Sequence, residues 1–259
     1  MLVDSHCHLD HLKCDHYAGG LDELLASARN CGVQQFLSVA VNLDSAQTIQ
    51  KLAEQHDDIV TSVGVHPLQQ DLPPLPQVSE LTELARHPKV VAIGETGLDN
   101  HYSSETADWQ LESFKRHLQA ASDVGKPVIV HTREARQQTL QCIEQYGGKA
   151  GGVLHCFTET EDMARSAIDM GYYISFSGII TFRNATELRD VVKALPLERM
   201  LVETDSPWLA PVPYRGKQNE PRYVVEVARC VAEIKGVSEE AVIRQTGENF
   251  QKLFCTSSS

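Results

Sequence analysis

The stretch Leu2-Val3-Asp4-Ser5-His6-Cys7-His8 opens the chain with an apolar pair that leads into two histidines separated by one residue. On an extended chain, successive side chains point to opposite faces, so His6 and His8 point the same way and Cys7 points away from them. The stretch therefore predicts a short buried strand that ends in two imidazoles aimed at one place. Two imidazoles with this orientation suit a divalent cation.

Further apolar runs of the same kind follow along the chain. Most are rich in Val, Ile and Phe and lack polar alternation, which is typical of strands buried on both faces. Together with the first run they predict eight strands, at Leu2–His6, Gln35–Val41, Ile59–Val65, Val90–Gly94, Pro127–His131, Gly152–His155, Tyr172–Ser177 and Met200–Thr204.

Between these runs, apolar residues recur at spacings of three and four, the pattern of amphipathic helices. The clearest helical segments are Leu21–Asn30, Asp44–Gln55, Glu105–Val124, Leu188–Leu195, Tyr223–Ile234 and Ser238–Leu253. In the last of them, Ser238 precedes two glutamates, as expected of an N-cap followed by acids in the first turn.

A strand followed by a helix, repeated eight times, predicts an α/β fold whose parallel sheet closes into a (β/α)8 TIM barrel. Such barrels occupy about 250 residues as one unit, and this chain has 259. No linker divides the sequence, so we expect a single domain over residues 1–259. Loops rich in proline at Pro67–Pro76 and Ser206–Pro221 follow strands, and should lie where barrel active sites form.

The chain is acidic, with 23 Lys and Arg against 35 Asp and Glu and a formal net charge of −12. A protein that grips duplex DNA through a broad basic face has the opposite balance, so no stable duplex partner is expected. A phosphate substrate stays possible, because bound metal ions can reverse the sign of the local field.

Cysteine content and apolar runs indicate the compartment. The seven cysteines are odd in number and show no C-x-x-C spacing, which argues against both a disulfide framework and a cysteine-ligated zinc. The first residues lack the basic start and apolar core of a signal peptide, and no apolar run approaches the length of a membrane span. The sequence predicts a cytoplasmic protein without a membrane partner.

Six residues with metal-ligating side chains share one position, the carboxyl end of a predicted strand. They are His6, His8, Glu95, His131, His155 and Asp205. In a barrel these strand ends converge on one mouth, so residues far apart in sequence meet there. Four histidines and two carboxylates in one place predict a metal centre, because their charge is otherwise costly to bury.

The alternative for a single histidine is a surface residue or a hydrogen-bonded structural residue. We keep that interpretation for His11, His16, His56, His87 and His117. For the six strand-end residues it would have to apply six times, always at the same end. Cys7 and Cys156 alternate with or adjoin the site histidines, so strand parity predicts that both point away and pack.

At these residues the chain resembles the TatD-related deoxyribonucleases, a family within the amidohydrolase superfamily. The segments that resemble the family's motifs are Val3-Asp4-Ser5-His6-Cys7-His8-Leu9-Asp10, Gly64-Val65-His66-Pro67, Ile93-Gly94-Glu95-Thr96-Gly97-Leu98-Asp99, Pro127-Val128-Ile129-Val130-His131-Thr132-Arg133, Leu154-His155-Cys156-Phe157, Val202-Glu203-Thr204-Asp205-Ser206-Pro207 and Tyr214-Arg215-Gly216-Lys217-Gln218-Asn219-Glu220-Pro221. They keep the family's order from residue 1 to about Phe254.

The resemblance implies roles for the six residues and two divalent cations per chain. His6 and His8 would bind one cation with Asp205, His131 and His155 would bind the second, and Glu95 would bridge them. Histidine-rich ligation suits zinc, manganese, nickel or cobalt, and magnesium prefers oxygen; the metal stays open among these five.

Two cations close together can hold a shared hydroxide and lower its pKa toward neutrality. That hydroxide is the expected nucleophile, and Asp205 is the candidate catalytic residue that takes or relays its proton. His66 is a candidate substrate contact at the third strand end. Arg133, Arg215 and Lys217 could hold phosphate oxygens, or could equally be solvated loop charges.

Three functions follow, in order of preference. The first is a metal-dependent phosphodiesterase, a deoxyribonuclease with 3'-5' exonuclease-like action on single-stranded DNA or DNA ends. The second is a barrel hydrolase of the same superfamily that cleaves a lactone, amide or carboxylic ester, since fold and metals serve many chemistries. The third is a non-catalytic metal-binding protein, which the complete set of six ligand candidates disfavours.

Overall fold

A computed structural model describes residues 1–69 and 71–255. Within them, eight parallel strands form one sheet in which the spatial order follows the sequence order. The strands are β1 (Leu2–Cys7), β2 (Val33–Ser38), β3 (Ile59–Val63), β4 (Val90–Asp99), β5 (Val128–Arg133), β6 (Gly152–Leu154), β7 (Tyr173–Phe176) and β8 (Met200–Val202). The predicted (β/α)8 barrel is confirmed.

The first and last strands are joined beyond the end of β8. Cys7 and Ser206 form a parallel bridge, and the His8 amide donates to the Ser206 carbonyl at 2.8 Å. The Asp205 amide donates to the His6 carbonyl at 2.9 Å. This seam places the residues around His6 beside those around Asp205, although nearly 200 positions separate them in sequence.

The described residues contain nine α-helices, and each strand is followed by at least one of them. They are α1 (Gly20–Asn30), α2 (Leu43–Ala53), α3 (Val78–Leu84), α4 (Ala107–Val124), α5 (Arg136–Tyr146), α6 (Glu161–Asp169), α7 (Thr186–Ala194), α8 (Val224–Lys235) and α9 (Glu239–Phe254). The predicted N-cap of α9 is confirmed, since the Ser238 side chain accepts from the Ala241 amide.

Three of these helices, α3, α5 and α6, lie where no helical segment was predicted from the sequence. Helix α3 spans only seven residues and buries only Leu81, which leaves no repeat from which a helical period can be read. Helix α5 buries only Thr139, Cys142 and Ile143. The weak amphipathic signal of α3 and α5 therefore follows from short length and shallow burial, whereas α6 buries Met163, Ala164 and Ala167 at helical spacing and was missed although its pattern is amphipathic.

Apolar side chains fill the barrel interior and the layer between the sheet and the helices. The inner cluster combines strand residues such as Leu37, Ile129 and Leu201 with Phe250 and Phe254 of α9. The outer cluster joins the other faces of the strands to α1 through α9. Helix α9 approaches the start of β1, where a Cβ atom at Gly247 would lie 2.2 Å from the Met1 carbonyl oxygen, so its aromatic residues lie at the end of the barrel where the strands begin.

Strand β4 differs from the prediction, which ended it at Gly94. It continues to Asp99 with an irregular register against β5 between Ile93 and Thr96. Gly94 and Gly97 both have φ of 140°, a conformation that other residues rarely adopt. Glu95 therefore lies within β4 rather than after it, and the irregular segment turns its side chain toward the end of the barrel.

Across the described residues, we find no helix with the length and hydropathy needed to cross a bilayer.

Candidate metal centre at the barrel mouth

The carboxylate of Glu95 lies at the centre of a histidine cluster at the mouth, the end of the barrel where the strands finish. Its Oε1 is 2.6 Å from His155 Nε2, 3.1 Å from His66 Nε2 and 3.2 Å from His131 Nδ1. Its Oε2 is 3.3 Å from His6 Nε2. One buried carboxylate thus contacts ring nitrogens from four separate segments of the barrel.

His6, His8 and Asp205 form one side of this cluster. The two histidine Nε2 atoms are 3.2 Å apart, and Asp205 Oδ1 lies 3.7 Å from the first and 3.5 Å from the second. This confirms the strand parity inferred from the sequence for His6 and His8. Asp205 reaches them through a left-handed backbone conformation, with φ of 57°.

Hydrogen bonds on the outer side hold three of the imidazoles in orientation. His8 Nδ1 lies 2.9 Å from the Val39 carbonyl. His131 Nε2 lies 2.9 Å from Asp99 Oδ2, and His155 Nδ1 lies 3.3 Å from Glu203 Oε1. In each ring the other nitrogen faces the cluster. An outer partner of this kind selects the tautomer and orients a metal-ligating histidine.

Electrostatics keep Glu95 charged despite its burial. Burial by itself raises the pKa of a carboxyl group, but the charge of His155 and His66 and the hydrogen bond from His131 outweigh it and hold the pKa of Glu95 well below its usual range. Burial likewise opposes ionisation of Asp205, yet the hydrogen bond from His8 and the nearby imidazoles lower its pKa. Both carboxylates are therefore anionic near neutral pH.

The donor set fits divalent cations. One buried nitrogen, His6 Nδ1, has no hydrogen-bond partner among the described residues, a state that costs free energy in a protein interior. Donor atoms lie within 4.8 Å of one another in three groups: His6, His8 and Asp205; His66, Glu95 and His131; and His6, His155 and Glu203. Imidazole and carboxylate together are ligands of zinc, manganese, cobalt and nickel.

This grouping differs in part from the one that the resemblance implies. All six predicted ligands meet at the mouth, but His66, predicted as a substrate contact, groups with Glu95 and His131. His155 groups with Glu203, to which the sequence analysis gave no role. A signal for Glu203 existed, since it precedes Asp205 by two residues in the same motif.

Asp99 is a second residue that the sequence analysis did not assign. It ends β4 and pairs with Arg133 in the sheet register, which places its carboxylate against His131 Nε2. Burial raises the pKa of Asp99, but the hydrogen bonds from His131 and from the Tyr102 and His101 amides reverse the shift and lower it. Asp99 ends the motif that carries Glu95, but nothing in the local sequence pattern identifies His131 as its partner.

A cavity of about 740 Å³ opens over the cluster, which we call the mouth cavity. Its walls include His8, His66, Glu95, His131, His155 and Asp205, together with Tyr102, Arg133, Cys156 and Trp208. Arg215 and Lys217 are absent from its described lining. Arg215 instead places its guanidinium 3.7 Å from the centre of the Phe182 ring, and Lys217 is exposed in the loop after β8.

The two cysteines beside the histidines behave differently. Cys7 points away as predicted and donates to the Leu37 carbonyl. The prediction for Cys156 was wrong, since this residue lines the mouth cavity. Strand β6 already ends at Leu154, and Cys156 has φ of 42°, so strand parity does not extend to it. Its Sγ lies 3.1 Å from Ser177 Oγ.

Comparison with known proteins identifies the family of the chain. Residues 3–255 match the family described as TatD related DNase. The Escherichia coli K12 metal-dependent hydrolase YcfH is 49% identical over 254 residues, which cover 98% of this chain and 95% of that protein. The 3'-5' ssDNA/RNA exonuclease TatD of Klebsiella pneumoniae is 34% identical over 250 residues, covering 94% of this chain and 95% of that protein.

Solved structures show the same architecture. The TatD homologue YjjV of Escherichia coli K12 superposes with a TM-score of 0.91 at 25% identity, over 99% of this chain and 98% of that one. The phosphotriesterase homology protein of Escherichia coli shares the fold, with a TM-score of 0.73 at 16% identity over 98% of each chain. The match of family, relatives and fold over nearly the whole length leads to one conclusion. This chain belongs to the TatD-related family of metal-dependent hydrolases, and is itself an enzyme of that kind.

Proposed function

We propose that this hydrolase is a phosphodiesterase that releases nucleotides from an end of single-stranded DNA with the help of two divalent cations. The observation that carries the proposal is the anionic Glu95, surrounded by ring nitrogens of His6, His66, His131 and His155 within 3.3 Å. The relative from Klebsiella pneumoniae, named a 3'-5' ssDNA/RNA exonuclease, supports the substrate class.

His6, His8 and Asp205 would hold one cation, His131 and His155 the other, and Glu95 would bridge the two. When bound, the cations supply Lewis acidity and a water whose pKa is lowered toward neutrality. Two dications with two carboxylates leave a formal charge of about +2, which attracts a phosphodiester anion to an otherwise acidic protein.

Asp205 would accept the proton of the attacking water. Its side chain is 14% exposed, so the carboxylate reaches the mouth cavity while His8 holds it in place. Because its pKa is lowered, it is unprotonated at neutral pH and free to act as a general base. His66 faces the same cavity and would bind a substrate oxygen or assist the bridging carboxylate.

Arg133 would bind a phosphate oxygen at the rim of the cavity. It ends β5 and lines the mouth cavity, so its charge adds to that of the cations. Arg215 and Lys217 lie outside the described lining of the cavity, and would act on a longer strand that extends past the loop after β8. The positive field is thus local, which suits one flexible strand better than a rigid duplex.

The test compares end-labelled single-stranded DNA, blunt duplex DNA and closed circular single strands, each with and without chelator. Protein reconstituted separately with zinc, manganese, cobalt, nickel or magnesium should shorten the linear single strand stepwise from its 3' end and leave the circle intact. Cleavage of the circle at the same rate would contradict exonuclease action. Inertness toward every phosphodiester, with rapid hydrolysis of a lactone or carboxylic ester, would favour the second predicted function.

A further inference from the structure

Two large aromatic side chains stand exposed at the mouth cavity. Tyr102 is 63% exposed and Trp208 is 47% exposed, and both line the cavity. Neither belongs to the apolar clusters of the core. Exposed aromatic rings beside a cavity are costly to leave in water and commonly mark a surface that binds a ligand.

The two rings lie on opposite rims of the barrel. Tyr102 follows β4, beside Arg133 at the end of β5, whereas Trp208 follows β8, beside His11 that comes after β1. In a barrel whose strands are ordered β1 to β8, the β4–β5 edge faces the β8–β1 edge. Glu95 and its histidines therefore lie between the two rings.

Each ring is held by contacts that leave surface available. Asp99 Oδ1 accepts from the Tyr102 amide at 2.8 Å, and the Arg133 guanidinium lies 4.9 Å from the centre of the Tyr102 ring. Trp208 packs edge to face on His8 and His11, at centroid distances of 5.2 and 5.6 Å. These contacts orient the indole, and Trp208 stays 47% exposed, so part of its ring surface is available.

Charge favours this axis over a second route out of the mouth. A neighbouring groove shares Thr158 and Ile179 with the mouth cavity. Its lining carries four carboxylates and one guanidinium, from Glu159, Glu161, Glu187, Asp190 and Arg136. A polyanionic strand is repelled there, whereas Arg133 attracts it on the Tyr102 rim.

We propose that Trp208 and the Tyr102–Arg133 pair are two stacking platforms for the unpaired bases on either side of the phosphodiester that is cut. This inference rests on the proposed function and specifies how the site selects its substrate. Aromatic rings and guanidinium planes stack on any base, so the platforms recognise single strands without reading sequence. Bases in a duplex have their faces covered by neighbours, and are therefore excluded.

Kinetics with alanine and conservative variants test the proposal. Trp208→Ala and Tyr102→Ala should each lower kcat/KM on a linear single strand by about tenfold, the usual loss for one stacked base. Trp208→Phe and Tyr102→Phe should retain most of the activity. On a strand whose terminal nucleotides are abasic, the alanine variants should match the parent protein. Val237→Ala, an exposed apolar change between α8 and α9, is the matched control.

A binding measurement separates this proposal from the proposed function. The chain has two tryptophans, so Trp109→Phe leaves Trp208 as the single indole. In zinc-loaded protein, a single-stranded oligonucleotide with non-hydrolysable linkages should quench its fluorescence, and an abasic oligonucleotide of the same kind should do so far less. Quenching without hydrolysis of any DNA would refute the nuclease but keep the platform. DNA hydrolysis without quenching, or equal kinetic losses on normal and abasic strands, would overturn the platforms and leave the nuclease standing.

Discussion

Asp205 is the residue at which rate and stability should separate most clearly. Its carboxylate lies 3.5 Å from His8 Nε2 at the cavity, and asparagine tolerates its left-handed backbone conformation, φ 57°, as aspartate does. Asp205→Asn should lower kcat by a factor on the order of 10² or more, as loss of a general base does. The thermal midpoint at saturating metal should hardly change.

The control for Asp205→Asn is Asp169→Asn, which alters an exposed carboxylate at the end of α6. This control should leave kcat and the thermal midpoint unchanged. Turnover and thermal unfolding are measured on the same metal-loaded samples. Near-normal turnover of Asp205→Asn with metal bound would remove Asp205 from the proton transfer.

Glu203 should act on metal affinity through His155. Its Oε1 accepts from the Cys156 amide at 2.8 Å and lies 3.3 Å from His155 Nδ1. Glu203→Gln keeps the shape and one acceptor but removes the charge that orients and strengthens the imidazole. Metal affinity should fall by about 10- to 100-fold, and activity should return at high metal concentration. An unchanged metal titration curve would show that the glutamate only packs.

At the residue scale, the sequence predicts the direction of a side chain wherever the backbone is regular. His6 and His8 follow the alternation of an extended strand, and their facing Nε2 atoms confirm it. Cys156 departs from the prediction because its positive φ breaks the alternation. The contacts of Asp99 and Glu203 with His131 and His155 join different strands, and the pairing of distant residues cannot be read from local periodicity.

Strand β4 depends on glycine where it turns Glu95 toward the mouth. A Cβ atom at position 97 would lie 1.9 Å from the His131 carbonyl oxygen, and φ there is 140°. Gly97→Ala should therefore destabilise the protein by about 3 kcal/mol or more, through both the clash and the backbone strain. The β4–β5 pairing that carries both Glu95 and His131 should be the part that loosens.

Gly125→Ala provides the matched control for β4. Gly125 also has positive φ, 66°, after α4, but a Cβ atom there meets nothing within 4 Å. It should cost only about 1 kcal/mol. Urea unfolding of both variants measures the difference, and equal losses would mean that the close approach to His131 does not constrain β4.

Helix α4 contributes a pH-dependent contact with the segment that carries His66. His117 Nε2 accepts from the Val65 amide at 2.9 Å, and Nδ1 donates to the Ser113 carbonyl at 2.7 Å. Burial lowers the pKa of His117 from 6.5 to about 4. The folded state therefore holds the ring neutral, whereas the unfolded chain takes up a proton below about pH 6.5.

The direction in which stability changes with pH follows from that difference in proton uptake. The stabilisation is complete above about pH 6.5 and is lost as pH falls toward 4, by about 2 kcal/mol between pH 7.5 and pH 5. His117→Gln keeps an acceptor for the Val65 amide and removes the titration. Urea unfolding at the two pH values gives the difference in the free energy of unfolding between wild type and His117→Gln. This difference should be smaller at pH 5 than at pH 7.5. A difference that does not change with pH would show that His117 does not titrate on unfolding as expected.

At the element scale, strand existence and order were predictable because runs of Val, Ile and Leu buried on both faces leave a continuous apolar signal. The end of β4 could not be predicted, because a glycine such as Gly94 commonly ends a strand. In the structure it allows an irregular turn inside the strand. Helix α3 buries only Leu81 and so reveals no period, whereas α6 buries residues at helical spacing and was missed all the same.

Over the whole molecule, the barrel collects donor atoms from six strands at one point, so metal binding and folding must be coupled. The unfolded chain cannot assemble such a site, and bound metal therefore stabilises the folded state. At free metal about 100-fold above its dissociation constant, one site adds about 2.7 kcal/mol. For a domain of this size that corresponds to roughly 5–10 °C in Tm.

Elemental analysis of reconstituted protein should approach two ions per chain, and His131→Ala should approach one, because the group of His6, His8 and Asp205 stays intact. Chelation should lower the Tm of the wild type more than that of His131→Ala. Metal titration accompanies the assay, so that a weakly held ion is not mistaken for a missing site. Acid should mimic the chelator, since protons compete with metal for the imidazoles. A wild-type ceiling of one ion at saturating metal would refute the binuclear centre, whatever the substrate proves to be.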